Sequence, residues 1–228
     1  MKLEKKQRRR NRKRLPEKDP VTEEIYEYVV QRAEQNYRET YQGARLRLAL
    51  ALLAVTGVRI GELLPLKINQ LENLFKQSWI SIDRTKSGPS NHKTFLTPKG
   101  MKIIKKRARD FEILLYAKEK YSCVFTPQYS SEPLNRETFT KLINKFLKES
   151  TEKLPDQPNI RSHSFRAGFI TQLWRDTENI EFVRQAIGHA KIDTTSRYVQ
   201  NLSEEERKRR MTGIKTAQDL FYDETKTT

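Results

Sequence analysis

Cysteine is nearly absent from this chain of 228 residues, since Cys123 is the only one. No disulfide can form within the chain and no cluster of cysteines can hold a metal, which is typical of proteins from a reducing compartment. No apolar run is long enough to cross a bilayer, and the N-terminus lacks the apolar core of a signal peptide. We therefore expect a cytoplasmic protein, or one of an organelle stroma, because the arginine-rich, acid-poor start also fits a transit peptide.

Acidic residues are also in short supply, because 29 Asp and Glu stand against 45 Lys and Arg and leave a net charge of +16. Such an excess favours a polyanionic partner, usually nucleic acid, although a solvated basic surface would have the same composition. Residues 1–14 alone hold nine basic residues and one Glu. We expect residues 1–20 to form a disordered basic tail that serves as a phosphate-binding arm, a localisation signal or a solubilising extension.

The remaining sequence shows no internal repeat, and its hydrophobic pattern predicts a mainly α (α+β) fold with one small antiparallel β-sheet. Two β-prone runs, at 79–82 and 94–96, flank a polar stretch at 84–92 and predict a loose hairpin. Caps and apolar spacing predict the following helices: 22–33, 43–55, 59–66, 98–115, 135–146, one from Ser162 or Ser164 towards Trp174, 179–187, one capped by Asp193 that carries Tyr198, and one from Ser203.

Two arginines, two histidines and a late tyrosine follow one another along this basic chain: Arg59, His163, Arg166, His189 and Tyr198. A tyrosine oxygen can attack the phosphorus of a phosphodiester and form a phosphotyrosine ester. This covalent ester keeps the energy of the broken bond. Planar, permanently charged guanidinium groups are suited to bind the phosphate oxygens without a metal. A histidine suits the transfer of the tyrosine proton, and a lysine suits protonation of the departing oxygen. The set is therefore what metal-free cleavage of a phosphodiester requires.

Each of these residues has an ordinary structural explanation when it is taken alone. His163 and Arg166 fit the start of a capped helix, and His189 fits the carbonyl end of another. Arg59 fits a surface ion pair. Tyr198 could be an ordinary tyrosine whose ring is packed and whose hydroxyl lies at the surface, as in most tyrosines. Only their order, spacing and flanking residues together favour a single functional site.

Three segments resemble the conserved boxes of the tyrosine recombinase (phage integrase) family: Thr56-Gly57-Val58-Arg59-Ile60-Gly61-Glu62-Leu63-Leu64, His163-Ser164-Phe165-Arg166, and Ile187-Gly188-His189 with Thr194-Thr195 and Tyr198. The last box is highly specific, with its tyrosine nine residues after the histidine. The resemblance covers about residues 22–200 and implies that family's DNA breaking and rejoining fold. The second box departs from the family pattern at Ala167 and Gly168, where a further histidine is common.

The resemblance implies these roles: Tyr198 as nucleophile, Arg59, Arg166 and His189 as phosphate ligands, His163 as general base or proton-orienting group, and Glu62 as supporting residue. The general acid would be a lysine of the hairpin, for which Lys86 is preferred and Lys93 is the alternative. Attack by Tyr198 would form a 3′-phosphotyrosyl link, which the 5′-hydroxyl of a second strand then attacks. Strands would be exchanged without metal or nucleotide cofactor.

The resemblance further implies a site-specific DNA recombinase or integrase of the cytoplasm or nucleoid, a monomer in solution that forms a tetramer on double-stranded DNA. We expect a catalytic domain at 21–202 and a C-terminal helix or tail at 203–228, which docks on a neighbouring protomer or folds onto its own domain. Family members usually carry a separate N-terminal DNA-binding domain, for which residues 1–20 are too few. We therefore expect an excised fragment or a minimal enzyme whose DNA binding is weak and sensitive to salt.

Three alternatives stay open. A type IB topoisomerase or a telomere resolvase shares the chemistry, and relaxation of a supercoiled plasmid without a target site would favour the topoisomerase. A non-catalytic DNA-binding protein could share the fold. A basic RNA-binding module would need closely spaced exposed aromatic residues, which the sequence does not show.

Overall fold

The computed structural model describes residues 18–85, 88–116 and 118–199, which hold ten helices and one two-stranded sheet. The elements are α1 (Glu23–Tyr37), α2 (Tyr41–Thr56), α3 (Ile60–Leu63), α4 (Ile68–Gln77), β1 (Trp79–Ile82), β2 (His92–Phe95), α5 (Pro98–Lys105), α6 (Ala108–Leu115), α7 (Arg136–Thr151), α8 (Ser162–Thr177), α9 (Ile180–Ile187) and α10 (Ile192–Val199). The mainly helical fold with one small antiparallel sheet is therefore confirmed. The predicted tail up to residue 17, Lys86 and the predicted C-terminal segment at 203–228 lie outside the described residues. Within those residues, no helix combines the length and the apolar character needed to cross a membrane.

Helix α2 forms the centre of the larger hydrophobic core. Its Leu- and Ala-rich sequence is buried on nearly all sides, and α1, α5, α6 and α8 pack around it. Thr40 caps its start by accepting a hydrogen bond from the N–H of Gly43 at 3.0 Å. Gly57 ends it with a φ of +59°, which glycine adopts without steric cost. The chain then turns directly into α3, so that Arg59 lies at the start of that helix.

One predicted helix is divided in two. The prediction of a continuous helix over 98–115 was wrong, because the chain breaks at Arg107 between α5 and α6. Asp110 on α6 pairs with Arg47 on α2, with 2.6 Å between Oδ1 and Nη2, and both side chains are buried. The break thus accompanies an ion pair between helices that the local sequence does not indicate.

Other boundaries also differ from the predicted ones. Helix α3 ends at Leu63 rather than at residue 66, since Pro65 lacks the N–H that would continue the helix. Asp193 lies in the first turn of α10 instead of capping it. Helix α8 begins at Ser162, and Ser164 accepts a hydrogen bond from the backbone N–H just before the helix. No prediction covered α4, although its buried residues have amphipathic spacing: Ile68, Leu71 and Leu74.

The hairpin of β1 and β2 presents different faces to the core and to solvent. Ile80 lies opposite Thr94, and both are buried, whereas Lys93 lies on the outer face and is exposed. In the connecting loop the N–H of Arg84 donates to the carbonyl of Pro89 at 3.0 Å. Because side chains alternate along a strand, the buried side chains of this hairpin share its inner face.

Helices α8, α9 and α10 contact one another around a smaller apolar cluster: Ile170, Val183 and Ile187. Tyr198 packs against this cluster. Helix α8 also contributes Phe165 to the larger core. Arg166 follows Phe165 and is fully buried, so it lies where the two cores adjoin.

Candidate active site

The first arginine and its acid are positioned at the start of α3. The N–H of Arg59 donates to Glu62 Oε2 at 3.0 Å, and Arg59 Nη1 donates to Oε1 at 2.7 Å. An acidic side chain three residues after a helix cap commonly binds the cap in this way. The Arg59 side chain remains 21% exposed, whereas that of Glu62 is fully buried. Arg59 therefore combines a fixed position with access for a ligand.

Glu62 also binds the hairpin and approaches a second arginine of the motifs. Arg84 Nη1 and both the N–H and the hydroxyl of Thr85 donate to its carboxylate at 3.1 Å, and Arg166 Nη1 lies 3.8 Å from Oε2. Burial acts to raise the pKa of Glu62. The hydrogen bonds from Arg59 and the charges of Arg84 and Arg166 outweigh burial and lower that pKa to about 2. Glu62 is therefore ionised at neutral pH, where it holds guanidinium groups rather than transferring a proton.

Arg166 is enclosed by backbone carbonyls and by an imidazole. Its Nη1 donates to the carbonyl of Gly57 at 2.7 Å, and its Nη2 donates to that of Ile187 at 3.3 Å and contacts His189 Nε2 at 2.9 Å. Among the described residues its Nε has no hydrogen-bond partner, although it is buried. Burial, followed by the charge of Arg59, lowers the pKa of Arg166 to about 9. The side chain therefore keeps its charge at neutral pH.

His189 lies in the turn between α9 and α10, directly after Gly188, whose φ is +70°. The residue is 4% exposed, and its Nδ1 lies 2.9 Å from Thr195 Oγ1. Arg184 Nη1 donates to the backbone carbonyl of His189 at 2.7 Å and so holds the turn. Burial, followed by the charge of Arg166, lowers the pKa of His189 to about 3. The ring is therefore neutral at physiological pH.

Tyr198 projects from α10 towards both histidines of the motifs. Its Oη lies 2.8 Å from His163 Nε2, and its ring lies nearly parallel to that of His189, with 6.1 Å between the centroids. Tyr198 is half-buried against the smaller core, whereas His163 is exposed at the start of α8. The phenol thus lies beside a ring nitrogen of His163 and next to the ring that contacts Arg166.

The structure brings six of the predicted residues into one continuous set of contacts: Arg59, Glu62, His163, Arg166, His189 and Tyr198. Lys86 lies outside the described residues. Lys93 is on the outer face of the hairpin, with its Nζ 4.7 Å from the centre of the Trp79 ring. It faces away from Thr94, whose hydroxyl accepts a hydrogen bond from Arg84 at 2.7 Å. The pocket is the site formed by these contacting residues: Arg59, Glu62, Arg84, His163, Arg166, His189, Thr195 and Tyr198.

Two further residues of the pocket were not predicted. The side chain of Arg84 is fully buried between Glu62 and Thr94. Its sequence signal was its place in the hairpin, two residues before Lys86. Thr195 belongs to the third motif, but its contact with a histidine six residues earlier becomes visible only in the fold.

The charge of the pocket is suited to an anion. The guanidinium groups of Arg59, Arg84 and Arg166 lie within 4 Å of one carboxylate, that of Glu62, so positive charge is in excess. In the described ranges no group of three or more His, Cys, Asp or Glu side chains is arranged to bind a metal ion. Guanidinium groups form short, charge-assisted hydrogen bonds with phosphate oxygens. Of the three arginines, Arg59 is partly exposed, whereas the side chains of Arg84 and Arg166 are buried.

Among curated proteins, the chain is similar to the tyrosine recombinase XerC of Staphylococcus haemolyticus, with 23% identity over 174 residues. That match covers 75% of this chain and 54% of XerC. The tyrosine recombinase XerD of Listeria innocua is 29% identical over 158 residues, which are 68% of this chain and 50% of XerD. The chain spans about half the length of the curated relatives it matches.

Among solved structures, XerA recombinase has a TM-score of 0.63 and 22% identity, and the match covers 87% of this chain and 66% of XerA. The XerH site-specific recombinase bound to palindromic difH substrate, a post-cleavage complex, has a TM-score of 0.61 and 20% identity, with 86% and 53% covered. At these identities the similarity shows a common fold. The phage integrase family matches residues 22–205, which is most of the chain. The chain therefore belongs to the phage integrase family.

Proposed function

We propose that this chain is a site-specific recombinase that cleaves and rejoins DNA strands through a 3′-phosphotyrosyl intermediate, without metal or ATP. Its membership of the phage integrase family supports this chemistry. The observation that carries the proposal is the 2.8 Å contact between Tyr198 Oη and His163 Nε2, beside the pocket of Arg166 and His189. The residues proposed as nucleophile, proton acceptor and phosphate ligands therefore lie close together in one chain, which supports the proposal.

Phosphate binding is assigned to the arginines and to His189. Arg59, which is partly exposed, would bind one non-bridging oxygen. Arg166 is buried in the empty pocket, and it would bind the other oxygen once the phosphate displaces His189 Nε2 from its Nη2. The excess positive charge around Glu62 would stabilise the negative charge that grows on these oxygens in the transition state. Glu62 would position the arginines without contacting the substrate.

Strand cleavage would begin with attack by Tyr198 Oη on phosphorus, while the bond from phosphorus to the 5′ oxygen breaks. His163 would accept or orient the phenol proton, and Lys86 would protonate the departing oxygen. The 5′-hydroxyl of a second strand would then attack the phosphotyrosine and return the proton to Tyr198. Because the ester keeps the energy of the original bond, rejoining needs no ATP.

Double-stranded DNA is the proposed partner. The net charge of +16 supports a polyanionic ligand, and the XerH structure with the same fold contains the difH substrate of that protein. Exchange between two duplexes requires four strand cleavages. We therefore propose a chain that is monomeric in solution and tetrameric on DNA, with each protomer attacking the phosphate held by its own arginines.

Trapping a covalent adduct tests this proposal. The substrate is a pool of duplexes that covers the DNA flanking the gene, each nicked so that a short 5′-hydroxyl fragment diffuses away after cleavage. We expect the wild-type chain to form an adduct that survives denaturation, in EDTA and without ATP. Tyr198→Phe should bind the same DNA and form none. Tyr129→Phe, which changes a tyrosine that is 94% exposed, is the matched control and should behave like wild type. An adduct from Tyr198→Phe, or none from wild type across the pool, contradicts the proposal.

A further inference from the structure

One buried hydroxyl connects the helix that carries Tyr198 to the arginines. Thr195 on α10 is fully buried, and its Oγ1 lies 2.9 Å from His189 Nδ1. On the other side of the same ring, Nε2 lies 2.9 Å from Arg166 Nη2. The contacts therefore run without interruption from α10, through one imidazole, to a guanidinium group of the pocket.

These contacts determine which nitrogen of His189 carries the proton. A guanidinium group can only donate hydrogen bonds, so Nε2 must accept from Arg166 and carries no proton. A neutral imidazole then has its proton on Nδ1, which donates to Thr195 Oγ1. A doubly protonated ring would instead direct an N–H at the N–H of Arg166.

We propose that Thr195 is a positioning residue that holds the His189 ring in place in either tautomer, so that the tautomer that Arg166 imposes in the empty pocket can reverse when a DNA phosphate enters. This inference rests on the proposed function, because only a phosphate ligand requires the reversal. A phosphate oxygen that binds Arg166 would replace His189 Nε2 as its acceptor. Nε2 must then carry a proton if it is to donate to the same phosphate. The ring has the same charge before and after the reversal, since Nδ1 releases one proton to solvent and Nε2 takes one up from solvent.

A hydroxyl is suited to this role because it both donates and accepts. Thr195 Oγ1 accepts from Nδ1–H in the empty pocket and can turn its own hydrogen towards Nδ1 after the reversal. Either tautomer is therefore satisfied in a buried site, where an unpaired polar group is destabilising. Thr195 also precedes Tyr198 by three residues on α10, so the two side chains lie on neighbouring parts of the helix surface. The same threonine thus aligns the nucleophile's helix with the ring on which the tyrosine is stacked.

Nitrogen NMR of the full chain tests the tautomer directly. The sequence has only three histidines, so ¹⁵N-histidine labelling gives few signals, and His189→Asn identifies those of His189. Between about pH 6 and pH 8 we expect Nδ1 protonated and Nε2 unprotonated in the DNA-free protein. A proton on Nε2, or a charged ring, in this range would overturn the proposal. This measurement does not depend on catalysis.

Three threonine variants test the role in the reaction. Thr195→Val removes the hydroxyl at nearly constant volume, and we expect it to slow adduct formation about 10- to 100-fold while DNA affinity changes less than about threefold. Thr195→Ser restores the hydroxyl and should recover most of the rate. Thr194→Val is the matched control on the same helix and should react like wild type.

Three outcomes overturn the inference. The first is a wild-type rate of adduct formation in Thr195→Val. The second and third are a rate in Thr195→Ser, or in Thr194→Val, that falls as much as the rate in Thr195→Val. If Thr195→Val does not fold, the inference is tested by the rate of adduct formation in Thr195→Ser, which should be close to that of wild type, and by the wild-type nitrogen spectrum. If the wild-type chain forms no adduct, the proposed function fails, whereas the spectrum still decides the tautomer.

Discussion

Replacement of Glu62 by glutamine should destabilise the fold, because this buried carboxylate is shared by several guanidinium groups. Its side chain is fully buried and binds Arg59 and Arg84 through ion pairs of 2.7 and 3.1 Å. Glutamine has nearly the same shape, but it is uncharged and turns one acceptor into a donor that would face other donors. Glu62→Gln therefore leaves Arg84 and Arg166 buried without their counter-charge.

The pKa of Glu62 gives the size of the effect. It falls from 4.5 to about 2 in the folded chain. Each pKa unit corresponds to about 1.4 kcal/mol, so the ionised carboxylate adds about 3 kcal/mol to the free energy of unfolding at neutral pH. Loss of one partner from a buried ion pair typically costs a similar amount, about 3–5 kcal/mol. Because the folded pKa lies below the unfolded one, this stabilisation is complete above about pH 5 and is lost as the pH falls towards 2.

Urea denaturation of both proteins at several pH values separates Glu62 from the other carboxylates. The difference in free energy of unfolding between wild type and Glu62→Gln should be about 3 kcal/mol at pH 7 and should shrink steadily below about pH 5. All other acidic groups titrate in both proteins, so their contributions cancel in this difference. Far from the pocket, Glu112→Gln breaks an exposed pair with Arg109 and should change stability by only a fraction of that amount. A difference that stays constant from pH 7 to pH 3, or a Glu62→Gln variant as stable as wild type at pH 7, refutes the role of Glu62 as the shared counter-charge.

Two other predictions concern the hairpin. Arg84→Met should lower the free energy of unfolding by about 3 kcal/mol in urea denaturation, because it breaks the buried pair with Glu62, and Arg84→Lys should recover part of it; a methionine variant as stable as wild type would contradict this. Lys86→Ala should slow adduct formation on ordinary DNA and regain its rate when sulfur replaces the scissile 5′ oxygen, since a thiolate leaves without a general acid. Lys93 lies over Trp79, so Lys93→Ala should form the adduct at the normal rate. If Lys93→Ala is instead slow on ordinary DNA and regains its rate on the sulfur-substituted DNA, Lys93 rather than Lys86 is the general acid.

Local sequence signals predicted much of the fold because the groups involved are neighbours in the chain. Thr97, Asn135 and Asn179 each cap the helix that follows, through N–H groups two or three residues away. The hairpin was predicted in the same way from two β-prone runs around a polar stretch. The break within 98–115 was not predicted, and the ion pair that accompanies it joins Asp110 to Arg47, which lies 63 residues earlier in the sequence.

In the candidate site, too, residues within sequence motifs were predicted, whereas contacts between residues distant in the sequence were not. Motif order and spacing were enough to select Arg59, Arg166 and Tyr198, which the fold then brings into one set of contacts. The roles of those residues stay predictions. Arg84 was missed because its partner Glu62 is 22 residues away, and nothing in the local pattern of the hairpin indicates that its side chain is buried. The tautomer of His189 likewise depends on two partners that only the fold brings to one ring.

Mass spectrometry of the trapped adduct, after digestion with nuclease and protease, tests the central claim most directly. We predict a single modified peptide, in which Tyr198 carries a nucleotide through its 3′ phosphate, and a released strand that ends in a 5′-hydroxyl. A nucleotide attached to another residue, a link through a 5′ phosphate, or a released strand that keeps the phosphate would contradict the proposed reaction.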